Sequence, residues 1–217
     1  KFLFSIFFII GYKNSSNFGF IIGKYLGPLF RSKLEIFNNL KQIDYVNNND
    51  LNKISQNVFG NYGRIFAEYI FLEDFRNGKL NEFISIKGKE YLEEIIKKNK
   101  KVVFISGHFN NFELMAMQLE KSGINLAAIY RPLNNKYLNN TMEHIRKKYI
   151  CKNQIKKGRS GSRELIKNFN DGSSIALMID QRVREGIESP FFNKLAPTTT
   201  IPAQLVKKYG CEIVPIY

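Results

Sequence analysis

At residues 102–117 the chain reads VVFISGHFNNFELMAM, and its character changes in the middle. The first five residues are a nearly continuous apolar run with a β-branched and aromatic bias, which predicts a strand covered on both faces. Gly107 lets the chain turn, and a helix is predicted over 111–121, where apolar residues take helical spacing. The same alternation extends outward: a helix at 88–98, a strand at 126–130, helices at 135–149 and 162–170, a strand at 175–180, a helix at 202–209 and a strand at 212–217. SIALMI (174–179) and EIVPIY (212–217) are also almost wholly apolar. The pattern predicts an α/β fold with a mostly parallel central sheet covered by helices on both faces.

Ahead of this core a short strand is expected at 83–86, and residues 31–75 read as two amphipathic helices. Leu34, Phe37, Leu40 and Ile43 mark the first, and Ile54, Val58, Ile65, Tyr69 and Leu72 the second, with a turn and N-cap at residues 47–50 between them. Gly19, Gly23 and Gly27 recur every four residues, which bares one helix face for close packing of another helix. The opening KFLFSIFFIIGY offers an apolar run only at 2–10, whereas a spanning helix needs about 20 residues. It is read as the end of a membrane anchor, against an interfacial or buried segment or a signal peptide. The expected organisation is therefore an anchor remnant at 1–12, an N-terminal helical region at 13–80 and an α/β core at 81–217, in a chain clipped at both ends.

Composition narrows the function classes. With 44% apolar, 24% charged and 14% aromatic residues among 217, the chain can bury a core; disordered, collagenous and coiled-coil chains are excluded. Thirty-three Lys and Arg against 19 Asp and Glu leave +14, a field that gathers polyanions: nucleic acid, anionic lipid or an acidic protein. Cys151 and Cys211 have no CxxC spacing, which argues against a disulfide framework, a zinc ribbon and a thioredoxin motif.

In open α/β sheets ligands bind beyond the carboxyl ends of the strands, so the residues just after each strand carry the most weight. His108 follows the first strand as a candidate general base, with Glu113 in the next helix's first turn to steady it. Asn110-x-x-Glu113 also fits a capping box, which would account for Glu113 without catalysis. HxxxxE is not the HExxH of zinc enzymes, and His144 sits alone on a predicted amphipathic helix. Arg131, held extended by Pro132, presents a fixed fork of donors, either to a phosphate or oxyanion or to a helix carboxylate. Asp180 and Gln181 close another apolar strand. Phe191 and Phe192 read as core or site, Thr200 and Pro202 as a helix start, and KKGRSGSRE (156–164) as a loop with Ser162 as a helix cap rather than a phosphate loop.

Taken in order, SGHFNNFE, IYRPLNN, MIDQR, PFF-x-K-x-A-x-T and VPIY resemble the late acyltransferases of lipid A biosynthesis, the lauroyl/myristoyl transferase (HtrB-like) family, over residues 12–217. The resemblance implies a glycerolipid acyltransferase-like fold and an HxxxxE/D mechanism in lipopolysaccharide biosynthesis. It further implies an acyl carrier protein thioester as donor, a Kdo-bearing lipid A precursor as acceptor, and attachment to the cytoplasmic face of the inner membrane. On the matching positions, His108 and Glu113 become the catalytic pair; Arg131, Asp180, Gln181, Phe191, Phe192 and Thr199 become substrate-binding residues. Two departures bear on the pocket: Asn193 where the family has glycine after Phe-Phe, and Ile201-Pro202 in place of a glycine after the threonines.

The expected chemistry is proton removal from an acceptor hydroxyl by His108, attack on the thioester, and return of the proton to the departing thiolate. A thioester has a good leaving group, so neither a cofactor or metal nor a covalent intermediate on Ser106 is required. The anionic membrane surface and the acidic carrier protein both suit the +14 field. An acyltransferase for another glycolipid is the near alternative, and a non-enzymatic basic module for membrane or nucleic acid the distant one. Nucleic acid fits poorly, because the Phe residues sit in apolar runs and are not interleaved with Lys and Arg.

Overall fold

The structure, a computed structural model, describes residues 2–43, 46–133 and 135–217, so that Asn134 of the YRPLNN motif lies outside the described residues. The chain divides into two compact units, Lys1–Glu73 and Asp74–Tyr217. The first is helical: α1 (Phe2–Phe30), broken at Gly11 (φ 78°, ψ 166°), α2 (Leu34–Leu40) and α3 (Asn48–Glu68). The glycine stripe packs within the chain. A Cβ on Gly19 would lie 2.6 Å from that of Ala67, and one on Gly27 2.7 Å from the Phe59 ring, both on α3, so the two helices touch backbone to backbone. Ser16 donates to Glu68 across the same contact at 2.7 Å, which satisfies a buried carboxylate. None of the described helices is long and apolar enough to cross a membrane.

Helix α4 (Leu72–Arg76) ends the N-terminal run of helices, and α5 (Lys89–Lys97) leads into the sheet. The predicted strand at 83–86 is absent; residues 81–83 make a 3₁₀ turn and 84–86 belong to neither sheet. Strands β1 (Val102–Ser106) and β2 (Leu126–Tyr130) fall where their apolar runs predict, with α6 (Glu113–Lys121) between them. Next come α7 (Lys136–Ile145), one π-helical turn at Arg146–Ile150, β3 (Asn153–Lys156), α8 (Arg159–Asn170) and β4 (Ser174–Met178). Ser162 therefore lies inside α8, whose N-cap is Gly158, and is not the expected cap. A hairpin, β5 (Ile187–Phe191) and β6 (Lys194–Thr198), precedes α9 (Ile201–Tyr209) and β7 (Glu212–Pro215).

The five-stranded sheet is parallel throughout, in the order β3-β2-β4-β1-β7, with helices on both faces. Alternation sorts its side chains: Val103, Ala127, Ile155, Ile175 and Leu177 meet Leu165 and Phe169 of α8 and Leu205 of α9 in one core. Each fully buried Ile or Phe there contributes about 1.5–3 kcal/mol. β3 escapes the sequence pattern because NQIK buries only Ile155, as suits an edge strand. The hairpin escapes it because its strands alternate no buried face and carry Pro190 and Pro197. Its two turn residues, Phe192 (φ 47°) and Asn193 (φ 60°), are left-handed, which explains Asn193: asparagine is the residue besides glycine that best tolerates this conformation.

Candidate active site

Parallel pairing of β1 with β4 sets Ser106 beside Met178, so the two chains leave the sheet together and positions 108 and 180 come side by side. Asp180 grips His108 with both oxygens. Oδ2 accepts the His108 backbone N–H at 2.7 Å, and Oδ1 lies 2.8 Å from Nδ1. A carboxylate only accepts, so Nδ1 carries the proton and Nε2 keeps its lone pair. Gln181 brings its amide nitrogen to 3.5 Å from Nε2, and the Phe112 ring stands edge-on at 4.8 Å. Gly107 makes room for the clamp: a Cβ there would sit 3.2 Å from Asp180 Oδ2 and 3.0 Å from the Phe109 ring. Asn110 completes the loop with φ 40°. Ser106, which also lines the cleft, donates its hydroxyl to the Ile216 carbonyl at 2.7 Å.

Glu113 opens α6 after Phe112, without a capping hydrogen bond from the Phe112 side chain. Its Oε1 accepts from Arg146 Nε at 2.8 Å and from a terminal guanidinium nitrogen at 2.5 Å; Glu113 is buried and Arg146 is mostly covered. This corrects the capping-box expectation. Asn110 is not the N-cap of α6, because its left-handed backbone places it two residues too early for a capping box. Nδ1 of His108 is held by Asp180, and Glu113 pairs with Arg146. Arg146 starts the π-helical turn and also lies 5.9 Å from the Tyr130 ring centre. Tyr130 donates to Glu143 at 2.6 Å; burial, then this carboxylate, pushes the phenol up to about 12, and the phenol holds Glu143 below its usual range.

His108, Glu113, Arg131, Arg146, Gln181 and Thr199 share the lining of one cleft of about 320 Å³ at the carboxyl ends of the strands. Apolar walls come from Phe104, Met115, Leu119 and Ile150. A base, two guanidinium groups and an apolar trough in one cleft can deprotonate a hydroxyl beside a bound aliphatic chain. Among the described residues, no group of three His, Cys, Asp or Glu could hold a metal ion.

The family described as bacterial lipid A biosynthesis acyltransferase matches the chain over residues 2–217. The chain belongs to this family. It is an acyltransferase of lipid A biosynthesis, acting on a lipid A precursor. No individually curated protein matches it.

In this lipid A acyltransferase the structure gathers most of the residues singled out from the sequence. Asp180 sits against His108, while Arg131, Gln181 and Thr199 line the cleft with it. Phe191 and Phe192 do not join them. They are exposed on the hairpin and so are not core side chains. Arg146 was not foreseen. Its one signal is that it is an arginine at the head of RKKY, where a lysine would serve a solvated helix face equally well but could not fork onto a carboxylate.

Proposed function

We propose that this acyltransferase moves a fatty acyl group from an acyl carrier protein thioester to a hydroxyl of a Kdo-bearing lipid A precursor, with His108 as general base. The observation that supports this is the two-point clamp of Asp180 on His108, which leaves Nε2 as the acceptor nitrogen at the cleft. Nε2 takes the hydroxyl proton, and the oxygen forms its bond to the thioester carbonyl carbon. The carbon–sulfur bond breaks, and the imidazolium returns the proton to the thiolate. Asp180 stabilises the imidazolium, and Arg131 and Arg146 face the charge that develops on the carbonyl oxygen. Glu113 acts through Arg146, as a positioning residue. No metal or cofactor is required for this sequence of steps.

The +14 chain works at the cytoplasmic face of the inner membrane, where anionic lipid, an acidic carrier and a phosphorylated acceptor all suit its field. Exposed apolar side chains of α1, such as Ile9, Leu29 and Phe30, fit that location. The test is transfer from defined acyl carrier donors to Kdo-lipid A precursor. His108→Ala should lower kcat by about 10²–10⁴-fold with donor binding kept, and transfer at the parental rate would remove His108 from the mechanism.

A further inference from the structure

We propose that the β5–β6 hairpin docks the mouth of the cleft onto an anionic lipid bilayer, with Phe191, Phe192 and Leu195 seated at the boundary between headgroups and acyl chains. The choice of partner rests on the membrane reading above; the choice of element rests on the hairpin's own features.

The hairpin is a two-stranded sheet by itself, and such a ribbon normally hides one apolar face to survive in water. This one hides neither. Ile187, Phe191 and Leu195 are 61, 65 and 63% exposed. Register and alternation put Phe191 with Ile187 on one face and Leu195 with Pro190 on the other. A protein partner would have to wrap both faces, whereas fluid acyl chains wet both at once. The turn adds a second sign. Phe192, a bulky aromatic, is held in a left-handed conformation that Asn or Gly would tolerate better, and its half-exposed ring stands edge-on to Phe191 at the tip.

Charge is arranged to match. Lys194 stands opposite Phe191 at the tip and Arg182 and Arg184 are exposed just before the hairpin, while the acidic side chains, Glu185 and Glu188, lie toward its foot and leave none among residues 189–198. Apolar tips beside cations are what the headgroup region of an anionic leaflet accepts, at a depth of about 5–10 Å. The hairpin's place connects this to the reaction. Gln181 and Val183 before it and Thr199 after it line the cleft, so a lipid-borne acceptor held at its flank would meet the opening. The foot is tied down by Val183 N–H to the Pro197 carbonyl at 3.2 Å and Gly186 N–H to the Val183 carbonyl at 3.0 Å.

The chain has no tryptophan, so Phe191→Trp introduces the sole indole, and Tyr91→Trp on exposed α5 serves as control. Both full-length variants are mixed with phosphatidylcholine vesicles, with or without phosphatidylglycerol. The indole of Phe191→Trp should shift to the blue with the anionic vesicles and be quenched by brominated acyl chains; that of Tyr91→Trp should do neither. Leu195→Glu should lower partition onto the anionic vesicles by roughly tenfold or more. If Phe191→Trp misfolds by circular dichroism, Leu195→Trp replaces it. An unshifted indole overturns the proposal, whether the protein sediments with the vesicles or stays free; so does a blue shift that grows with protein concentration in the absence of lipid, which would assign the hairpin to a second copy. Transfer to detergent-dispersed acceptor is read separately on the parent chain: transfer without insertion defeats the docking alone, and insertion without transfer defeats the acyl-transfer reading alone.

Discussion

Two carboxylates flank the cleft, and they live in different surroundings. Asp180 is partly open to solvent and holds a neutral or charged imidazole, whereas Glu113 is buried against a permanent cation. Asp180 comes from the end of β4, one strand away from β1, and Glu113 from the helix that directly follows His108. Nearness along the chain points to Glu113 as the partner of His108, while nearness across the sheet delivers Asp180. An acid that charges and relaxes with its base each turnover needs some solvent. An acid that fixes a guanidinium is better kept dry, because the pair then has no competitor.

The comparison is sharpest in a pair of isosteric changes. Asp180→Asn should lower kcat by about 10²–10⁴-fold while the melting temperature and donor KM stay near the parent's, since the charge that stabilises the imidazolium is lost and the shape is kept. Glu113→Gln should do the reverse in order of severity. It strands the Arg146 guanidinium without its countercharge, costs about 3 kcal/mol and lowers the melting temperature by about 10 °C. Abolished transfer at an unchanged melting temperature would return Glu113 to the chemistry itself and break the distinction.

Arg146→Lys keeps the charge and loses the fork that now places two nitrogens on one oxygen. A cost of about 1–2 kcal/mol in thermal or denaturant unfolding is expected, between that of the parent and Glu113→Gln. Stability equal to the parent's would mean that charge alone matters there. The smallest effect concerns Cys151, whose N–H bonds the Arg146 carbonyl at 2.9 Å on the dry side of the site. Burial pushes its thiol up from the ordinary 9.0 to about 11. The unfolded chain thus loses the thiol proton first, so this contribution to stability is whole below pH 9 and fades as pH rises towards 11. Alkylation followed by mass spectrometry should label Cys211, which is only partly buried, well before Cys151; equal rates would deny that this side is dry.

Much of the fold was legible because continuous apolar runs bounded by turns announce parallel strands. β1 and β2 match their predicted limits, and β4 begins one residue earlier than predicted, at Ser174, and ends two earlier, at Met178, after which Ile179 makes one last backbone bond to Ser106. Elements that bury little were not legible: β3, with only Ile155 inside, and the hairpin, with no inner face at all. The predicted helix at 135–149 reads as one periodic segment, yet the chain converts to a π turn at Arg146, a widening that residue spacing does not register. For the site, strand ends located His108, Arg131, Asp180 and Gln181, and four-residue glycine spacing located the tight helix contact.

By itself, the sequence determined which side chains stand at the carboxyl edge of a parallel sheet, since apolar runs set the strands and the chain must turn where each run stops. It also determined the family to which the chain belongs. Only the tertiary structure decided who pairs with whom: strand order 2-4-1 and the register of Ser106 with Met178 bring Asp180 to His108, and the turn at residues 146–150 brings a cation to Glu113. Hydrogen bonds reach about 3 Å, and positions that close in space can lie 72 residues apart in the chain.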